Sequence, residues 1–337
     1  MSSQNSTNEN FLDVVGIGNA IVDILVNSSE TFLEKHSLAK GGMTIINEED
    51  AEKLFKENLP NLETSGGSAA NTIAGIAQLG GKAGFIGRVK KDSLGETFTK
   101  DIRSSGATFN LPAINEGPPT ARCFIYVTPD AQRTMCTYLG ASIYLGPEDL
   151  DLSLIRKAKV LYLEGYLWDN QNAKNAFITA AEECKKAGGK IALSLSDFLC
   201  IERHRDSFLY LVENYIDILF ANETEIKALY KAPDMEIAKN AVKGKCELAV
   251  LTRGEKGSLI VTKNDEYTIK SYNFGEVIDT TGAGDLYASG FLYGYTSGKD
   301  LVSCGNIGSI CSGHIVSILG PRAKTSLSLL IKKEMQN

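Results

Sequence analysis

VLYLEG at 160–165, KNAFITAAEECKKAG at 174–188 and KIALSLS at 190–196 decide the fold class. Two short apolar runs flank a segment whose apolar residues recur at helical spacing. The runs are short enough for strands, and the segment between them is long enough for a helix. The rhythm continues downstream. SFLYLVENY (207–215) predicts a helix, DILFAN (217–222) a strand, ETEIKALYK (223–231) and MEIAKNAVKG (235–244) helices, and ELAVLTRG (247–254) a strand. Strand–helix alternation of this kind predicts a parallel sheet with helices on both faces. SLIVTKN and EYTIKSYNF predict a hairpin over 258–274, and two helices follow at about 283–297 and 301–317.

Upstream the pattern is mixed. LDVVGIG (12–18), AIVDILVN (20–27), MTIIN (43–47) and GFIGRV (84–89) predict strands. EEDAEKLFKEN (48–58) and LGETFTKDIRSSG (94–106) predict helices, as does the stretch opening SGGSAAN at 65. TARCFIYVTPDAQRTMCTYLG (120–140) predicts a hairpin about Pro129-Asp130-Ala131-Gln132. The early strands and this hairpin break the alternation. They are expected to form a small separate sheet, built from about 19–47 and 107–140 and inserted in one domain over 12–337. Residues 1–10 are expected to be a disordered tail.

The 337 residues carry 35 Lys+Arg against 41 Asp+Glu, a formal net charge of -6. That gives no general basic field, so no nucleic-acid partner is expected. Seven cysteines, an odd number without C-x-x-C spacing, argue against a disulfide framework and for a reducing compartment. They read as small buried side chains. No stretch reaches the ~18 apolar residues of a membrane helix. The polar start MSSQNSTNENF lacks the apolar core of a signal peptide. A cytoplasmic location is expected.

Five segments carry candidate chemistry. In Asp279-Thr280-Thr281-Gly282-Ala283-Gly284-Asp285, small residues lead into a helix. The first N–H groups of a helix lack internal partners and carry partial positive charge, so a phosphate can approach them there. Asp285 stands where an acid can take a proton from an attacking hydroxyl, or only favour the helix start. Ser65-Gly66-Gly67-Ser68-Ala69-Ala70-Asn71 pairs glycines at a helix entry with an amide that suits a diol, or is a tight packing contact.

Gly16-Ile17-Gly18-Asn19-Ala20-Ile21-Val22-Asp23 opens like a dinucleotide motif but has Ile21 in place of the third glycine, and its acid comes too early. Asp23, inside an apolar run, needs a partner: a ligand diol or a backbone amide. Asn222-Glu223-Thr224-Glu225 is a helix cap or a polar site for phosphate and hydrated magnesium. Thr252-Arg253-Gly254-Glu255-Lys256-Gly257-Ser258 fits a hairpin turn or the edge of a nucleotide pocket. No G-x-x-x-x-G-K-[ST] occurs, so any ATP use is not of the P-loop type.

DTTGAGDLYASGFL (279–292) resembles the second signature of the ribokinase-like (PfkB) carbohydrate kinase family. GGSAANTIAGIAQLGGKAGFIGRVKKDSLG (66–95) resembles the first, with NETE and TRGEKGS in order between them. Within the family, GNAIVDI and YIDILFANETE are most similar to the adenosine kinase branch. The resemblance, over about 12–330, implies a three-layer α/β/α Rossmann-like domain with a small β-sheet lid. It implies an ATP-dependent kinase acting on the 5′-hydroxyl of adenosine or a similar nucleoside, or on ribose, fructose or a related sugar. Asp285 would be the catalytic base and Gly282, Ala283 and Gly284 the anion hole. Asn19, Asp23, Gly66, Gly67 and Asn71 would hold the ribose. Arg133 would reach the phosphates, and Tyr166 would stack on the base.

Asn222, Thr252, Gly254, Gly257 and Ser309 would border ATP. Glu225 would serve Mg2+ through water, and Asp279 is a candidate for a monovalent cation such as K+. Two departures stand out: Gly165-Tyr166-Leu167-Trp168 replaces two adjacent phenylalanines, and Ser309 replaces the usual His or Asn. Monomer and homodimer both remain open.

Overall fold

In the computed structural model, residues 11–57, 61–130 and 132–336 are described. The expected tail over 1–10 and residue 131 of the hairpin turn lie outside them. Thirteen strands follow in chain order: β1 Leu12–Ile17, β2 Ile21–Asn27, β3 Met43–Ile45, β4 Leu62–Gly66, β5 Ala83–Ile86, β6 Ala121–Val127, β7 Arg133–Tyr138, β8 Ala158–Glu164, β9 Lys190–Ser194, β10 Ile218–Asn222, β11 Leu248–Thr252, β12 Ser258–Val261 and β13 Glu266–Ile269.

Eight of them form one sheet in the order β13-β12-β11-β10-β9-β8-β1-β5. From β11 to β5 every pair is parallel, and at one edge the β11–β12 and β12–β13 pairs are antiparallel. Parallel strands buried on both faces read as continuous apolar runs, because each face meets helices. β8 shows the consequence. Val160 and Tyr162 pack on the side of the helices Ser68–Gln78 and Ala283–Thr296, while Leu161 and Leu163 pack toward the helix Gln171–Lys186.

The second sheet has five strands, β3-β7-β6-β2-β4. Its core pairing sets β2 parallel to β6 and antiparallel to β4, with β6 antiparallel to β7. β4 was not expected as a strand. Its sequence, LETSG, lacks the β-branched, aromatic texture of a strand, and pairing to β2 overrides that weak propensity. The helix expected at 207–215 follows a kink at His204, and a helical segment before the kink starts at Phe198, where Asp197 caps it by accepting from the Cys200 N–H. Further helices at Glu30–Lys35 and Leu327–Glu334, capped by Ser29 and Ser326, had no counterpart in the sequence reading. All seven cysteines are free, six buried and Cys246 half-buried. No helix among the described residues is long and apolar enough to cross a membrane.

Candidate active site

The carboxyl ends of the parallel strands open on one cleft of about 910 Å³. Ligands in open α/β sheets sit at these strand ends. Glu164 ends β8, Asn222 ends β10 and Thr252 ends β11, and all three line the cleft. From the candidate segments the cleft also gathers Asn19, Asp23, Gly67, Asn71, Gly282, Ala283, Gly284 and Asp285, and Tyr166 lines it too.

Two helix starts converge there. Gly282 caps the helix Ala283–Thr296 with φ of 80°, a left-handed conformation that favours glycine. A Cβ there would also meet Pro321 Cβ at 2.9 Å. Around Gly284 a Cβ would meet nothing within 4 Å, so the open first turn faces the cleft. The helix Ser68–Gln78 starts alongside, and its Gly75 leaves room for Ser289 of the other helix. Ser289 Oγ donates to the carbonyls of Thr72 and Asp285, at 2.8 and 2.9 Å, which fixes the two helices together.

Asp285 receives two side-chain donors, Ser68 Oγ at 2.6 Å and Asn71 Nδ2 at 3.0 Å. Burial raises its pKa, and those two bonds and the Arg322 charge pull it back. Asp23 is 6% exposed, and burial, opposed mainly by Arg322, pushes it up to about 7. Gly66 and Gly67 make room for it. A side chain at Gly66 would collide with the Asp23 carboxylate, and one at Gly67, where φ is 93°, with the Asn19 carbonyl. Gly66 therefore backs the cleft wall rather than lining it. The acceptor atoms Asn19 Oδ1 and Asn71 Oδ1 are buried without a hydrogen-bond partner. Two unpaired acceptors and a carboxyl beside Asp285 form a ready cradle for hydroxyl groups.

Glu164 was not singled out in the sequence. Its carboxylate accepts from Asn19 N at 3.2 Å, Asn19 Nδ2 at 2.6 Å and Ala69 N at 2.8 Å, so one buried acid holds both glycine turns. Burial pushes its pKa up to about 7. The signal was present: a single acid ending the apolar run VLYLEG, as conspicuous as Asp23 in its own run.

Of the Gly165–Trp168 turn, Tyr166 alone faces the cleft. Leu167 is buried in the core, and buried Trp168 donates Nε1–H to Ser207 Oγ at 2.8 Å. The small sheet lines the same cleft with Ile21, Ile125 and Met135, joined by Leu139 just after β7.

The remaining expected residues are placed differently. Glu225 lines the cleft, but Asn222 N and Nδ2 donate to its two oxygens at 2.9 and 2.7 Å while its own N–H donates back to Asn222 Oδ1 at 2.9 Å. That reciprocal cap leaves the pair short of free metal ligands. Among the described residues no group of three or more His, Cys, Asp or Glu could hold a metal ion.

Asp279, 3% exposed, accepts from Thr281 N at 2.9 Å and Gly320 N at 2.7 Å and pairs with Arg133 Nη1 at 2.7 Å. A guanidinium thus balances the charge that the sequence reading assigned to a monovalent cation. Arg133 Nε and Nη2 are buried without partners. Gly254 and Gly257 lie in the short turn between β11 and β12, outside the cleft wall. Ser309 also lies outside it and donates to the Lys270 carbonyl at 2.6 Å.

The pfkB family carbohydrate kinase model matches residues 60–326, and the chain belongs to that family. The crystal structure of adenosine kinase from Sinorhizobium meliloti is 44% identical, with a TM-score of 0.90 over 96% of this chain and 99% of that one. That of a probable sugar kinase from Rhizobium etli is also 44% identical, with a TM-score of 0.91 over 96% and 98%. A 5-dehydro-2-deoxygluconokinase from Halalkalibacterium halodurans is 28% identical over 94% of this chain and 92% of its own. The protein is an ATP-dependent kinase that phosphorylates a hydroxyl of a sugar or nucleoside, on a ribokinase-like α/β fold.

Proposed function

We propose that the acceptor is the 5′-hydroxyl of adenosine or a closely similar purine nucleoside, giving AMP and ADP. One observation supports this reading: the cleft that holds the polar cradle at Asp285 is also lined by Tyr166 and by the apolar side chains Ile21, Ile125, Met135 and Leu139. A free sugar would leave those side chains uncovered, whereas a nucleobase is flat and apolar on both faces. The small sheet then serves as a lid that keeps water, a competing acceptor, out.

Chemistry follows from the residues. Asn19, Asp23 and Asn71 orient the ribose so that its 5′-hydroxyl meets Asp285. Asp285 takes the hydroxyl proton as the oxygen bonds to the γ-phosphorus, and the bond to the ADP oxygen breaks. Phosphoryl transfer leaves little covalent work to the protein beyond positioning and charge stabilisation. The N–H groups at Gly282–Gly284 meet the charge on the phosphoryl oxygens, and Arg133, which does not line the cleft and is tied to Asp279, would have to turn its two unpartnered nitrogens toward the phosphates to add a cation. The family usually pairs ATP with Mg2+. The Asn222–Glu225 cap offers that ion no direct ligand set, so it would travel on the phosphates. Nor does Asp279, already neutralised by Arg133, supply a K+ site.

The second reading is a sugar or sugar-acid acceptor, favoured by the names of the sugar-kinase and gluconokinase relatives. An ADP-release panel of nucleosides and free sugars separates the two. Preferential turnover of purine nucleosides is expected, and strong turnover only on a free sugar would refute the nucleoside assignment.

A further inference from the structure

A strap outside both signature segments touches both of them. Gly320 N donates to Asp279 Oδ2 at 2.7 Å. Pro321 packs behind Gly282 so closely that a Cβ there would not fit. Arg322 then crosses to the other signature. Its Nη1 donates to the Ala70 carbonyl at 3.1 Å, its Nη2 to Ser65 Oγ at 3.1 Å, and its Nε to the Ser65 carbonyl at 3.3 Å. These acceptors bracket the turn that carries Ser68, and Ala70 adjoins Asn71. Ser68 and Asn71 are the two residues whose side chains donate to Asp285.

We propose that Arg322 is a positioning residue for phosphoryl transfer: its guanidinium fixes the turn that presents Ser68 and Asn71 to Asp285, and its charge keeps that carboxylate available as a base. The proposal rests on the reading of Asp285 as the base. A planar fork that meets three acceptors at fixed angles is a task for arginine, because lysine offers charge without the fork.

The electrostatic surroundings point the same way. The charge of Asp285 raises the pKa of Asp23, Glu164 and Glu225 and of the Tyr162 and Tyr166 phenols. At Asp285 itself burial disfavours the carboxylate. Arg322 is the cation whose charge opposes burial there, and it opposes burial at Asp23 too.

The test uses the full chain with Arg322→Met, Arg322→Lys and Asp285→Asn. The pH profile of kcat/KM for the acceptor at saturating ATP is recorded from about pH 5 to about 9, with a melting curve for each variant. A base must be deprotonated, so activity rises with pH through its pKa, and loss of the cation moves that acid limb upward. Arg322→Met is expected to shift the limb by about one unit and to lower kcat/KM at neutral pH by roughly 10- to 100-fold. Arg322→Lys is expected to keep the limb near its wild-type place while recovering only part of the rate.

An unshifted limb in Arg322→Met overturns the charge role, and a wild-type rate in Arg322→Lys overturns the clamp. Should Arg322→Met fail to fold, Arg322→Lys decides alone: a lowered rate on an unshifted limb supports the proposal, and a shifted limb overturns it. Near-normal turnover in Asp285→Asn would instead remove the base reading, and the proposal with it.

Discussion

Asp285 is the base in the proposed mechanism, and its neighbours set what it can do. Ser68 and Asn71 occupy both of its oxygens, so an entering hydroxyl exchanges with one of these donors when it docks. Asp285→Asn preserves size and most hydrogen bonding but removes the base. Its turnover is expected to fall by roughly 10²–10⁴-fold, with the melting temperature and ATP binding near wild type, checked by steady-state kinetics, calorimetry and nucleotide titration. Gly66→Ala tests the acceptor cradle. The added methyl displaces the Asp23 carboxylate, and kcat/KM for the acceptor is expected to fall by up to about 100-fold with little change in the KM for ATP.

Burial of carboxyls also links stability to pH. Asp23 and Glu164 have ordinary values of 3.8 and 4.5 and are raised to about 7 by burial. A raised folded-state pKa means that the folded chain binds protons the unfolded chain has released. The contribution is complete below about pH 4 and is lost as pH rises through about 7. The melting temperature of the ligand-free protein is expected to fall across that window, and Glu164→Gln should flatten the fall.

Elements bring these residues together through their starts and ends. Helices Ser68–Gln78 and Ala283–Thr296 pack face to face, so their positive ends meet at one point, while strands β8, β10 and β11 deliver polar residues to the same rim. Gly282→Val sets a branched side chain on a left-handed residue against Pro321. A loss of about 1–2 kcal/mol of stability is expected in denaturant melts, with turnover abolished because the open helix start is distorted.

Much of this level was legible in the sequence, since apolar runs, caps and glycine turns are local signals. The strand end at Asn222 and the helix start at Ala283 follow from such signals, whereas the strand read over 247–254 stops two residues sooner, at Thr252. What was not legible depends on partners distant in the chain. β4 is a strand only because β2 pairs with it. Glu164 matters because Asn19 and Ala69, 145 and 95 residues away, turn toward it. Arg322 follows an ordinary Gly-Pro pair, and nothing local marks it as the residue that spans Ser65 and Ala70.

At the scale of the molecule, the proposed function asks an acidic chain of net charge -6 to concentrate its attraction for phosphate in one place. On that reading overall charge is a poor guide to the ligand. Both sheets line the cleft: the eight-stranded sheet supplies the polar strand ends Glu164, Asn222 and Thr252, and the five-stranded sheet supplies Ile21, Ile125 and Met135. Arg133, on β7 of the small sheet, pairs with Asp279 beside the signature turn. Breaking that tie with Arg133→Ala is expected to raise the KM for ATP and to cut kcat by roughly 10-fold or more, as measured by steady-state kinetics at varied ATP.

The most direct test of the account is product identification after incubation with ATP and adenosine, with 5′-deoxyadenosine as the matched control. Equimolar ADP and 5′-AMP from adenosine, and no turnover of the 5′-deoxy analogue, is the predicted result. Phosphorylation of a free sugar with adenosine left untouched would contradict it.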